Sequence, residues 1–155
     1  MKPSELLGPD DLLIGFNPAD KWTCIQDLVQ HLVQAGRLNG ELAGAVSDAV
    51  LSRERSMSTG MEEGVAIPHA ALDDVSEVIA CLGIIEDEEG LDFESIDGRP
   101  TRLVVLLVIP KSQKLLHIRT LADIARVLSK GLVRKELLAA KDAASAHAIL
   151  VAGES

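Results

Sequence analysis

The run Leu103-Val104-Val105-Leu106-Leu107-Val108-Ile109-Pro110 decides how the chain folds. It is nearly continuous in apolar and β-branched side chains, which suits a central strand covered on both faces. No apolar run in the chain is longer, and this one falls well short of the ~18 residues that a membrane-crossing helix needs. Upstream, Val78 to Ile85 reads as a second buried strand. Gly64 to Ile67 reads as a third, stopped by Pro68, which has no N–H for a ladder. Between the two longer runs lie a charged turn at Glu86 to Glu89, the alternating Leu91-Asp92-Phe93, and the turn chemistry of Ile96-Asp97-Gly98.

Outward from this block the apolar spacing changes to that of helices. Ile25, Leu28, Val29, Leu32 and Val33 recur at helical period, with Asn17-Pro18 as cap and first-turn proline and Gly36 as the stop. Leu12 to Phe16 ahead of it suits a short edge strand or a turn of helix. Asn39 caps a second helix whose inner face is Leu42, Ala45, Val46, Ala49 and Val50, ending near Arg53 or Arg55. After the central strand come three helices. Residues 114–129 carry Ile118, Leu121, Ile124, Ala125 and Leu128 on one face and stop at Gly131; Leu132 to Ala140 and Ala143 to Val151 follow. Two helices, a block of strands and three helices indicate an α/β fold, a mixed β-sheet flanked by helices on both sides. No repeat or linker divides the 155 residues, so one domain is expected over 1–155.

Hydrophobic residues make up 47% of the chain, too many for disorder. The net charge of -9 argues against nucleic acid or an anionic membrane as partner, because phosphate backbones call for clustered Lys and Arg. Trp22, Phe16 and Phe93 are too few for a base-stacking platform. The start, Met1-Lys2-Pro3-Ser4-Glu5, lacks the build of a signal peptide, which places the protein in the cytoplasm. Cys24 and Cys81 sit among apolar residues outside any CxxC pair and read as reduced core thiols. The four histidines lack paired ligand spacing, so no metal and no cofactor is expected.

The stretch with chemical promise is Arg53-Glu54-Arg55-Ser56-Met57-Ser58-Thr59-Gly60-Met61-Glu62-Glu63-Gly64-Val65-Ala66-Ile67-Pro68-His69-Ala70. A strand runs into Pro68, and an imidazole follows on a stiff backbone. Imidazole titrates near neutrality, so an uncharged nucleophile is available; a loop histidine without a task is the commoner case. His117 lies in the first turns of the helix after the central strand, either at the core's edge or at the sheet's carboxyl end, where α/β proteins commonly bind anions. Arg53 ends a helix; it either complements the dipole or grips a phosphoryl group with its planar fork. Spacing alone does not bring the three together. His31 and His147 read as structural or solvated.

These residues resemble the EIIA domain of the fructose/mannitol class of the bacterial phosphotransferase system, most of all its nitrogen-regulatory branch. The family's pattern R-E-x-x-x-S-T-G-x-x-x-G-[VI]-A-[IV]-P-H is met from Arg53 to His69. Leu91-Asp92-Phe93, Ile96 through Pro100, Leu103 to Pro110 and Leu116-His117-Ile118 match further on. The resemblance implies a phosphotransferase in which His69 takes a phosphoryl group from the carrier HPr or its nitrogen-branch counterpart NPr. Arg53 would bind phosphoryl oxygens, His117 would steady the transition state, and Ser58 and Thr59 would offer hydroxyl donors. An EIIB or a regulatory protein would be the next partner, met at a shallow apolar depression with an acidic rim. Where the family has Gly after the histidine this chain has Ala70, and Met61-Glu62-Glu63 replaces small and apolar residues. Those carboxylates would repel a phosphoryl group or point to water.

With no transporter helices or second domain attached, a free-standing regulator is favoured over a transporter piece. The competing reading is an EIIA-like interaction module that works without phosphorylation. A metal hydrolase built on His69 and His117 lacks further ligands.

Overall fold

The computed structural model describes residues 2–154. It folds the apolar run into the strand Leu103–Pro110, buried along its whole length. Ahead of it come the short helix α1 (Pro3–Leu6), strand β1 (Leu12–Phe16), helices α2 (Lys21–Gln34) and α3 (Ala43–Ser56), and strands β2 (Val65–Ala66), β3 (His69–Leu72) and β4 (Ile79–Ile85). Leu103–Pro110 is β5, and α4 (Lys114–Leu128), α5 (Gly131–Ala139) and α6 (Ala143–Gly153) follow. The sheet order is β1-β4-β5-β2, with β3 on the same flank of β5 as β2. Only β4 and β5 pair antiparallel, so the sheet is mixed, and β1 is the edge strand rather than a helical turn.

Alternate residues of β5 point to opposite faces, as a strand's period of two requires. Val104, Leu106 and Val108 pack with Ile25, Leu28, Leu32, Val46 and Val50 of α2 and α3. Val105, Leu107 and Ile109 pack with Ile124, Val127, Leu137 and Leu150 of α4, α5 and α6. Helices therefore cover both faces, which is why an unbroken apolar run is needed between them.

Pro68 interrupts its strand without ending it. Val65 pairs with Leu103 and His69 with Leu107, one constant register on either side of the proline. Pro68 lacks a donor, but its carbonyl still accepts from the Leu107 N–H at 3.0 Å. His69 thus opens a second strand segment instead of following a strand's end. Other local expectations change for equally local reasons. Asp20, not Asn17, caps α2 by accepting from the Thr23 N–H, while Asn17 bonds the Asp87 amide. Asn39 caps a single 3-10 turn, Gly40–Leu42, that leads into α3. Gly131 begins α5 rather than merely stopping α4. Ile118 stands 65% exposed, off the buried face of α4. Leu91 makes one bridge to Thr101, and Phe93 is buried in a loop.

Candidate functional site

The geometry around His69 follows from strand parity. Val65 and Ile67 belong to the core beneath α4, so His69, two residues on, is presented to that same face. Ala66, Ala70 and Leu72 face the other core, with α2 and α3. Ala70 is 7% exposed and packs away from the imidazole, so its methyl fills the core and leaves the ring's surroundings unchanged.

Segment 59–61 runs along the free edge of β2. Ile67 donates its N–H to the Thr59 carbonyl, and Met61 donates its N–H to the Val65 carbonyl. Gly60 bridges Ala66, and a Cβ there would lie 2.6 Å from the Phe93 carbonyl oxygen, so no larger residue fits. This wrapping carries the end of α3 round the sheet edge. Arg53, Met61, Ile67 and His69 consequently line one depression with Leu121, Ala122 and Ala125 of α4, about 350 Å³ in volume.

His69 is half-buried and Nδ1 lies 2.8 Å from the Ile67 carbonyl oxygen. A carbonyl can only accept, so Nδ1 carries the proton and Nε2 keeps its lone pair. The His117 ring meets His69 edge to face, with centroids 5.3 Å apart and planes at 73°. Burial pushes the His69 pKa below the ordinary 6.5; the Ile67 bond and the Glu54 carboxylate oppose this, and Arg53 and His117 add to it. Burial and then Arg53 lower His117 likewise. Both rings are therefore uncharged at neutral pH. The guanidinium that acts on both donates Nη1 to the Met57 carbonyl at 2.8 Å, which fixes its direction at the end of its own helix.

Ser58 and Thr59 stand close by with their hydroxyl protons committed. Ser58 donates to the Phe93 carbonyl, and Thr59 donates to Glu54 Oε1 at 2.5 Å while its N–H donates to Oε2 at 2.9 Å. Either hydroxyl would have to leave a protein acceptor before it could reach an incoming anion.

Of the two carboxylates in the acidic insert, Glu62 is exposed and Glu63 is held by arginines. The Glu63 carboxylate pairs with Arg99 at 2.8 Å and lies 3.6 Å from Arg134. The other two histidines are elsewhere: His31 bonds the Asp10 carbonyl and His147 the Ser4 carbonyl. Among the described residues no group of three or more His, Cys, Asp or Glu is arranged to hold a metal ion. None of the helices there is long and apolar enough to cross a membrane.

Sequence reasoning left Glu54 and Lys21 without a task. Glu54 is 2% exposed and Lys21 6%, and they pair at 3.3 Å. A signal was available for Glu54, which continues the buried stripe of Val46 and Val50 at four-residue spacing. Lys21 gives no such signal, because a lysine in a first helical turn looks like any surface lysine.

The chain is similar to known proteins along nearly all of its length. A nitrogen regulatory protein of Bradyrhizobium diazoefficiens is 32% identical over 150 residues, covering 97% of this chain and 95% of its own length. The fructose-specific EIIABC component of Bacillus subtilis is 33% identical over 141 residues, 91% of this chain but 22% of that longer protein. The nitrogen regulatory protein IIA-Ntr of Neisseria meningitidis shares the fold, with a TM-score of 0.84 at 24% identity over 95% of this chain and 97% of that one. Residues 6–152 match the model of "Phosphoenolpyruvate-dependent sugar phosphotransferase system, EIIA 2", and the chain belongs to that family of phosphotransfer domains.

Proposed function

We propose that His69 accepts a phosphoryl group on Nε2 from a phosphohistidine of HPr or NPr and then passes it on or holds it as a signal. The observation that carries this reading is the Nδ1 bond to Ile67, which leaves Nε2 as the unprotonated nitrogen beside His117. In the transfer, the donor's P–N bond breaks as the His69 Nε2–P bond forms. The donor imidazole retains the electron pair and takes a proton from water. Nδ1–H stays bonded to Ile67 throughout, so the nucleophile needs no separate base. In-line transfer between imidazoles asks for position and for charge near the phosphoryl oxygens. Arg53 and His117 supply the charge and the donor. Ser58 and Thr59 act from the wall, and their hydroxyls reach the phosphoryl group only by leaving Phe93 and Glu54.

The exposed Met57, Leu115 and Ile118, each within two residues of a site residue in sequence, offer apolar surface to the carrier. The pairing of Glu63 with arginines favours a working phosphocarrier over a module that has lost phosphorylation, since that carboxylate is occupied. Residues 1–155 act as a single EIIA unit in the cytoplasm, as a nitrogen-type regulator or as a sugar-branch EIIA. An EIIB is the onward acceptor in the second case, as the name EIIABC of the Bacillus relative suggests, and a regulatory protein is the target in the first.

The test is incubation with phosphoenolpyruvate, Enzyme I and either HPr or NPr. The expected product is an acid-labile, alkali-stable adduct, absent from His69→Ala. Its initial rate falls with pH along a limb below the ordinary histidine value, because protonation of Nε2 removes the nucleophile and burial holds that protonation to lower pH. No adduct with either carrier overturns the proposal and leaves the interaction module.

A further inference from the structure

Lys21 stands where a cation is doubly disfavoured. It is the first residue of α2, facing the positive end of the helix dipole, and it is buried. Its ammonium has carboxylate oxygens of Glu54 at 3.3 Å and Glu94 at 3.5 Å, with the Trp22 ring centroid at 4.7 Å and that of Phe93 at 5.9 Å. Glu94 makes this contact from a left-handed backbone, φ 53°, uncommon for a residue with a side chain. Glu54 in turn receives both donors of Thr59 and directly follows Arg53 in the chain. A buried ion pair is weak evidence for stability, since an apolar pair of similar volume often serves as well or better. The retained charges call for another use.

We propose that the buried Lys21–Glu54 pair is a positioning device for phosphoryl transfer. It clamps Thr59 and the start of the edge segment to the end of α3, and so holds Arg53 and His69 in register. This rests on His69 being the phosphoryl acceptor. Lys21 and Glu54 touch neither donor nor phosphoryl group. They act through Thr59, whose carbonyl holds Ile67, whose own carbonyl holds the His69 ring. Loss of the pair slackens two of the walls between which the group must pass, and a shift of about 1 Å at such a site costs up to about a hundredfold in rate. The Glu54 charge also reaches the imidazole and favours its protonated form.

The test is the double variant Lys21→Met/Glu54→Gln, which removes both charges and turns one of the two oxygens that accept from Thr59 into an N–H donor, so the clamp is loosened without leaving an apolar gap. Three quantities are read: thermal midpoint, kcat and KM for transfer from the phosphorylated carrier, and the pH titration of His69 ring nitrogens by NMR. The expected result is a midpoint close to the parent's, a kcat at least about tenfold lower with KM for the carrier unchanged, and a His69 titration moved to lower pH. Lys21→Arg alone, which keeps a cation beside Glu54, holds kcat within about threefold of the parent. The inference is overturned if the double variant keeps the parent's kcat, or if its loss of rate matches its unfolded fraction alone. A parent that takes no phosphoryl group from either carrier sinks the reading of His69 itself, and is told apart from a failed clamp because in the latter case the parent transfers and the double variant transfers as fast.

Discussion

His31 and His147 reach back to the amino-terminal segment, whereas His69 and His117 meet each other. His31 on α2 bonds the Asp10 carbonyl at 2.8 Å, and His147 on α6 bonds the Ser4 carbonyl at 3.0 Å. Each ties a helix to a segment distant in sequence. The bond made by His69 goes only two residues back, to Ile67, so it holds nothing together that the chain does not already join. Its effect is to orient the ring and assign its proton. On the proposed function, the histidines bonded at long range are framework, and the one bonded at its own doorstep, beside a second ring and a guanidinium, is arranged for chemistry.

Arg53→Ala is the strongest way to break this contrast. If the His69 pair is chemical, removing the guanidinium slows transfer from the phosphorylated carrier by about a hundredfold, in line with loss of one charged donor at a developing charge. Stability should change little, because Arg53 is half-exposed and its hydrogen bond goes to the Met57 carbonyl at its own helix end. Rapid-quench transfer rates beside a thermal melt check both halves. An unchanged rate would mean that Arg53 merely finishes α3, and the two kinds of histidine would no longer differ in surroundings.

How much of this was legible beforehand varies with the range of the cause. β4, β5 and the core face of α2 were readable, because burial on two faces or one stripe writes its period directly into the residues; on α3 Val46 and Val50 are buried as expected, whereas Ala45, expected on the inner face, is exposed. The break at Pro68 was readable; the resumption at His69 was not, since pairing with Leu107 depends on β5, more than thirty residues on. Arg53, His69 and His117 were each visible as candidates. Their convergence depends on segment 59–61 turning along the sheet edge, which rests on the close approach of Gly60 to Phe93. Lys21 was invisible, because its partner lies on another helix.

The framework side of the contrast is sharpened by His147→Ala. Loss of a half-buried side chain's bond to the Ser4 carbonyl should destabilise the fold by about 1 kcal/mol, or about 2–4 °C in melting temperature at this chain length. The transfer rate per folded molecule should stay within about twofold of the parent. A slowed transfer at unchanged stability would show that the ring communicates with the site, and the division into framework and chemistry would fail on that side.

The smallest effect on transfer is expected where the sequence departs from its family next to the proposed nucleophile. Ala70 adjoins His69 in the chain, and proximity in sequence would suggest that its methyl crowds the imidazole. Strand alternation puts it on the opposite face, among residues of the α2–α3 core. Ala70→Gly should therefore act on the fold and not on the chemistry. It removes one buried methyl and loosens a strand backbone, together a loss of about 1–2 kcal/mol. The transfer rate and its acid limb should both stay within experimental scatter of the parent. A faster transfer in Ala70→Gly would mean that the methyl does restrain the ring, through the backbone if not by contact. Immediate neighbours of the reactive histidine would then have to be counted with the chemistry on whichever face they lie.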